Sequence, residues 1–138
     1  DVKEQNALWN AAFKVFQNRH DLAATVRIEQ AKLWLAQQEL DKAGQCFEDV
    51  INRYANAGPF VIEALSMAEA ILRQERDGRR LLALYQRAWS QINKPQEMAG
   101  VFVIQSNWYR VGTMYAERLD EAGARDEAAK VRAAMGLR

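Results

Sequence analysis

The chain has 138 residues, of which 49% are hydrophobic and 27% charged, with 19 Lys plus Arg against 18 Asp plus Glu. That length suits one domain with a sizeable core, and the near-zero net charge argues against a general nucleic-acid binder, which needs a marked basic excess. Two prolines and seven glycines favour long helices over a many-turned β fold, the single cysteine (Cys46) excludes an internal disulfide, and no run approaches the roughly 18 apolar residues that span a bilayer.

Apolar periodicity and punctuation predict an all-α chain of about seven helices. The first is expected over Val2–Arg19, with Leu8, Ala12, Val15 and Phe16 as its inner stripe and Trp9 and Phe13 widening it. His20-Asp21 then breaks or caps it. The second covers about Leu22–Glu39, where Ala31 and Trp34 place a small residue and an aromatic one turn apart. Asp41 is the expected N-cap of the third, Lys42–Asn56, whose Ala43, Phe47, Val50, Ile51 and Tyr54 fall on one face. Gly58-Pro59 is a stop followed by a restart.

The fourth helix is expected over Pro59–Glu75, with Val61, Leu65, Ala68 and Leu72 inward and Ile71 beside them. Asp77-Gly78 is a turn. The fifth covers Arg79–Ile92, with Leu81, Leu84, Tyr85, Ala88, Trp89 and Ile92 inward, and Asn93-Lys94-Pro95 ends it. The sixth is expected to be long, Gln96–Glu121. Its Val101-Phe102-Val103-Ile104 run has strand-like composition, but Met98, Phe102, Gln105, Trp108, Tyr109, Gly112 and Tyr115 carry a helical spacing through it. Gly123 closes it, and Arg125–Met135 forms a short alanine-rich seventh helix.

Three spacings go beyond periodicity. Trp108, Val111, Gly112 and Tyr115 read W-x2-V-G-x2-Y; Ala31 precedes Trp34; Ala43 precedes Phe47. Together they resemble the packing code of the tetratricopeptide-repeat family, in which helix pairs of about 34 residues place small residues where helices cross and aromatics in the wedge beside them. Residues 24–57 resemble one unit well. Residues 59–92 resemble a second less closely, because Leu81 stands at a small position, and the step from Phe47 to Tyr85 exceeds the repeat by about one helical turn. Residues 105–136 resemble a third, with Ala128 at the small position of its last helix and Arg132 where an aromatic is expected. Residues 1–21 read as an N-terminal capping helix. The resemblance implies a single domain over residues 1–138, a short tetratricopeptide-like α-solenoid of stacked antiparallel helix pairs.

It also implies a non-enzymatic scaffold that binds a protein or peptide, as a segment of a larger protein. By analogy with the family, the groove-facing positions are Thr25, Ile28 and Lys32; Ser66, Ala70 and Arg73; and Tyr109, Thr113 and Ala116. Lys32 and Arg73 would hold a carboxylate, and Tyr109 would pack on a peptide. The family's carboxylate clamp is not matched, because Ile28 and Lys32 stand where it has Lys and Asn. An oligomerisation role, with the first or last helix packing on a copy of itself, is the alternative. An all-α enzyme or small-ligand pocket ranks last, since the sequence has no phosphate loop, nucleophile elbow or metal motif. No catalytic residue, metal or cofactor is expected. His20 is expected to serve helix-end carbonyls, Cys46 to be a small apolar side chain, and the four tryptophans mainly to fill the core. Asp120-Glu121 and Asp126-Glu127 read as solvated caps, and Arg73, Arg76, Arg79 and Arg80 as a solvated, partly self-paired turn, with contact to an acidic partner as the alternative.

Overall fold

A computed structural model describes residues 1–96 and 100–137, and all the regular structure among them is helical. Its helices are α1 (Val2–Phe16), α2 (His20–Ala36), α3 (Leu40–Arg53), α4 (Phe60–Gln74), α5 (Gly78–Gln91), α6 (Val101–Gln105), α7 (Asn107–Glu121) and α8 (Arg125–Ala134). The chain divides into two compact units, Asp1–Ile71 and Leu72–Arg138, with the division falling inside α4.

In the first unit, α1, α2 and α3 run antiparallel in sequence. Arg27 meets Asp49 and Trp34 meets Lys42, so contacts recede along α3 as α2 advances. Asn10 meets Gln30 and Phe13 meets Arg27, the same reversal between α1 and α2. The face expected of α3 is the one buried: Ala43, Phe47, Val50 and Ile51 have no accessible surface, and Tyr54 follows at the helix end. Burying a side chain such as Phe47 or Ile51 contributes about 1.5–3 kcal/mol, so this stripe alone commits α3 to its place. Gly58 adopts φ +51°, a left-handed turn residue between α3 and α4, and the Pro59 carbonyl then accepts from Ile62 in the first turn of α4. Val61, Ala64, Leu65 and Ala68 are buried on the first part of α4.

Three expectations in this unit are corrected. His20 does not end the first helix; it opens α2, and its ring packs edge-on against Tyr54 with centroids 5.3 Å apart. Asp41 lies inside the first turn of α3, which begins at Leu40 after Glu39. On α1 the inward residue is Phe13, while Leu8 (71% exposed), Val15 (75%) and Phe16 face outward. Phe13 is held inward by Arg27, whose guanidinium lies 3.5 Å from the ring centroid, and by Tyr54 edge-on at 6.4 Å.

In the second unit, Asp77 caps α5 by accepting from the Arg80 backbone amide at 3.1 Å. Leu81, Leu84, Tyr85, Ala88 and the following Ile92 are buried. On α7, Trp108, Val111, Gly112 and Tyr115 are buried, so the W-x2-V-G-x2-Y residues form one packed face. Trp89 of α5 stacks on Trp108, centroids 5.7 Å apart and 21° between planes, and its indole N–H donates to the Trp108 carbonyl at 3.0 Å. Gly112 admits both Trp89 and the Met135 sulfur to the α7 backbone. Ala128, Val131 and Met135 cover the other side from α8, and Arg132 donates to Asp120. The aromatic expected at position 132 is thus replaced by an ion pair back to α7, and Asp120 is a partner of that pair.

The single long helix expected over Gln96–Glu121 is broken. Ser106 takes ψ 149°, its hydroxyl donates to the Val103 carbonyl at 2.7 Å, and the same oxygen accepts from the Tyr109 amide at 3.2 Å. One side chain therefore closes α6 and caps α7, the local competition that disfavours serine in helix interiors. Phe102, expected inward, is 87% exposed, and Met98 lies outside the described residues.

Candidate functional site

The residue that organises the first unit's polar chemistry is Gln30. It sits on α2 between Val26 and Ala31, only 3% exposed, in an otherwise apolar stripe. A buried amide must find partners or cost about 1–3 kcal/mol. Gln30 finds three. Its oxygen accepts from Arg27 Nη1 at 2.6 Å, and its nitrogen donates to Asn6 Oδ1 at 3.1 Å and Asn10 Oδ1 at 2.8 Å. Asn6 and Asn10 are one turn apart on α1, so both reach the same amide.

Arg27 ties this group to α3. Its Nε donates to Asp49 at 2.7 Å, while Arg53 approaches the other oxygen of Asp49 at 3.5 Å. The planar guanidinium thus bridges Gln30 and Asp49 while resting on the Phe13 ring, a combination a lysine could not supply. A turn further along α2, Trp34 is half-buried with the Lys42 ammonium 4.4 Å from its ring centroid. Lys42 has no ion pair among the described residues.

These side chains line a cleft of about 360 Å³ bounded by α1, α2 and α3, with Gln45 and Cys46 completing its α3 wall. Burial pushes the Cys46 thiol up to about 11, with the Arg27 cation pulling slightly the other way. The thiol is therefore protonated at neutral pH and a poor nucleophile. What the lining offers is hydrogen-bond donors, positive charge and one aromatic face. Among the described residues, no group of three His, Cys, Asp or Glu side chains is placed to hold a metal ion, and no helix is long and apolar enough to cross a membrane.

The expected groove residues lie elsewhere. Thr25 and Lys32 are exposed, on the side of α2 opposite Arg27, Gln30 and Trp34 at about 100° of rotation per residue. Lys32 is already held by Glu29 at 3.3 Å and Glu63 at 3.5 Å, and the Glu29 hydrogen bond leads the causes that raise its pKa. Thr25 donates to the Asp21 carbonyl of its own helix. Ile28 is corrected: at 2% exposure it is core. Ser66 and Ala70 are exposed on α4. In the second unit, Arg73 pairs with Glu121 at 2.9 Å, Tyr109 and Thr113 are half-buried, and Thr113 donates to the Tyr109 carbonyl. Ala116 is corrected as well, being 1% exposed. Two of the expected surface positions are thus core, and both expected anion-holding cations carry internal carboxylate partners.

The cleft residues Asn6, Asn10, Gln30 and Lys42 were not singled out by periodicity or by the family resemblance. The one signal available was Gln30 itself, an amide set in a stripe with Val26 and Ala31. The fold and the cleft together define an all-α protein with a donor-lined recess on its first three helices. No family model, no curated protein and no solved structure matches the chain.

Proposed function

We propose that this chain is a non-enzymatic, tetratricopeptide-like helical module that binds a protein or peptide. The observation that carries the reading is the cleft on α1–α3: a recess built around a satisfied buried amide, lined by groups that recognise rather than react. Its walls are helices packed through fully buried side chains, so the recess is preorganised and ordering it costs little on binding. The spacings at Ala31-Trp34, Ala43-Phe47 and Trp108–Tyr115 support the repeat-like assignment, and Gly112 sits where two side chains approach the backbone closely. The purified chain, probed against an array of short peptides of varied charge, is expected to bind a subset saturably. Uniform absence of binding overturns the reading.

A second reading, self-association, is favoured by a specific feature. Leu8, Val15 and Phe16 form an exposed apolar face on α1. Light scattering over a dilution series tests it. A concentration-dependent dimer that Leu8→Glu/Val15→Glu abolishes supports oligomerisation, and a monomer at every concentration removes it.

A further inference from the structure

The amide network has a direction, and the direction selects a ligand. Arg27 can only donate, so the Gln30 atom that meets it is the carbonyl oxygen. The other end of Gln30 is then an amino group. Asn6 and Asn10 must turn their oxygens toward it, as they do. That leaves the amino ends of both asparagines as the groups not consumed by Gln30. Arg27 has spent Nε and Nη1, and its Nη2 makes no hydrogen bond among the described residues. Among the described residues the one carboxylate in the lining, Asp49, is taken by Arg27 and Arg53. One arginine thereby orients three amides, so that Asn6 and Asn10 keep amino groups to offer beside Arg27 and Lys42.

Charge sharpens the choice. Arg27 is offset by Asp49, while Lys42 faces the recess with no ion pair among the described residues. One uncompensated positive charge matches a carboxylate monoanion better than a phosphate dianion. Two amino groups a turn apart suit the two oxygens of one carboxylate, and the half-buried Trp34 lies in the same lining beneath the Lys42 ammonium.

We infer that the α1–α3 cleft binds an acidic side chain of a partner peptide, with Asn6, Asn10 and Lys42 as its hydrogen-bond and charge contacts. The inference rests on the peptide-binding reading above and adds the site and the ligand chemistry. It places recognition on the face of α2 opposite Thr25 and Lys32.

The test uses the full chain and short C-terminally amidated peptides carrying one Glu in a neutral background, with Gln and phosphoserine versions alongside. Calorimetry is expected to show the Glu peptide binding about tenfold more tightly than the Gln peptide, with affinity falling as salt rises. Asparagine side-chain amide resonances of Asn6 and Asn10 are expected to move with the Glu peptide. Lys42→Ala, an exposed substitution that leaves the core untouched, is expected to cost about tenfold. Lys42→Arg is expected to recover most of the loss, and Lys130→Ala, the same charge change on α8, to cost nothing. Asn6→Ala/Asn10→Ala is expected to act like Lys42→Ala, with its melting curve recorded to separate lost contacts from lost fold. Equal binding of Glu and Gln peptides, or a Lys42→Ala variant that binds like wild type, overturns this inference while leaving the peptide-binding reading standing. Tighter binding of the phosphoserine peptide overturns the carboxylate assignment. Absence of binding by every peptide overturns both.

Discussion

The substitution Gly112→Ala tests the close approach on which the second unit's packing depends. A Cβ at Gly112 falls 2.8 Å from Trp89 Nε1, 3.2 Å from Trp89 Cε2 and against the Met135 sulfur. Favourable contact begins at about 3.5 Å, so the indole must retreat by roughly half an ångström or more. Met135 ends in a flexible thioether and can swing aside cheaply. Trp89 is less free, because its N–H donates to the Trp108 carbonyl and its ring stacks on Trp108. Moving it forfeits a hydrogen bond worth about 1 kcal/mol and adds about 1–3 kcal/mol of overpacking strain. Alanine returns about 1 kcal/mol of helix propensity over glycine. The net expectation is a loss of about 1–3 kcal/mol for Gly112→Ala, and at least as much for Gly112→Leu. Gly44 on α3 supplies the control. A Cβ there meets nothing within 4 Å, so Gly44→Ala should stabilise by about 0.5–1 kcal/mol. Urea titrations followed by far-UV circular dichroism measure both, and the near-UV signal of the stacked indoles reports whether Trp89 has moved. A Gly112→Ala variant as stable as wild type, beside a stabilised Gly44→Ala, would refute the close-crossing argument.

Ser106→Ala removes the oxygen that caps α7, and should cost about 1 kcal/mol while raising hydrogen exchange at the Tyr109 amide. Tyr54→Phe should raise the melting temperature by a few degrees, because the Tyr54 hydroxyl is buried without a partner among the described residues and leaving it so costs about 1 kcal/mol or more. Alkali should destabilise the fold through Cys46. Its folded thiol keeps its proton to about 11 against an ordinary value of 9.0, so the unfolded state binds fewer protons between those values and stability falls as pH rises through that window. After allowance for partial solvent screening the loss is about 1–2 kcal/mol, and Cys46→Ala should flatten it in denaturant titrations across alkaline pH. Tyr54 and Tyr115 are shifted upward mainly by burial and add to the same trend.

The parts of the fold legible from sequence share a physical property: the information is local. The α3 stripe is apolar at helical spacing and its opposite face is polar, so only one orientation buries it. Asp77-Gly78 marks the start of α5 because an aspartate there can accept from the Arg80 amide three residues on, and Gly58 marks a turn because it takes positive φ. The break at Ser106 was hidden for an equally local reason. Periodicity weighs side-chain polarity, and the spacing runs unbroken from Phe102 through Trp108. Whether a serine hydroxyl turns back onto Val103 or stays in solvent is decided by backbone geometry that the pattern does not encode. Ile28 and Ala116 fail differently. Their groove positions were carried from a regular repeat, and here the helix faces those positions occupy are covered.

The orientation of α1 links the cleft to the exposed apolar face of the same helix. An amphipathic reading turns the apolar stripe inward, which would bury Leu8, Val15 and Phe16 and turn Asn6 and Asn10 away from α2. Gln30 reverses that preference. Once α2 buries an amide, whatever helix covers it must bring acceptors, and Asn6 and Asn10 are the α1 residues that do. Phe13 shares their face and adds its ring beneath Arg27, so the helix locks in this rotation. Leu8 and Val15 are then forced outward by the 100° step of the helix, not by any preference of their own. The donor-lined cleft and the exposed apolar face of α1 therefore have one cause. Gln30→Leu should reveal it: with no amide to satisfy, the asparagines lose their reason to face inward. A rotated α1 would dismantle the cleft and protect Leu8 and Val15 from solvent, a change that hydrogen exchange and the Asn6 and Asn10 side-chain resonances would register together. An unrotated α1 in that variant would mean that Phe13 and Arg27 alone set the register.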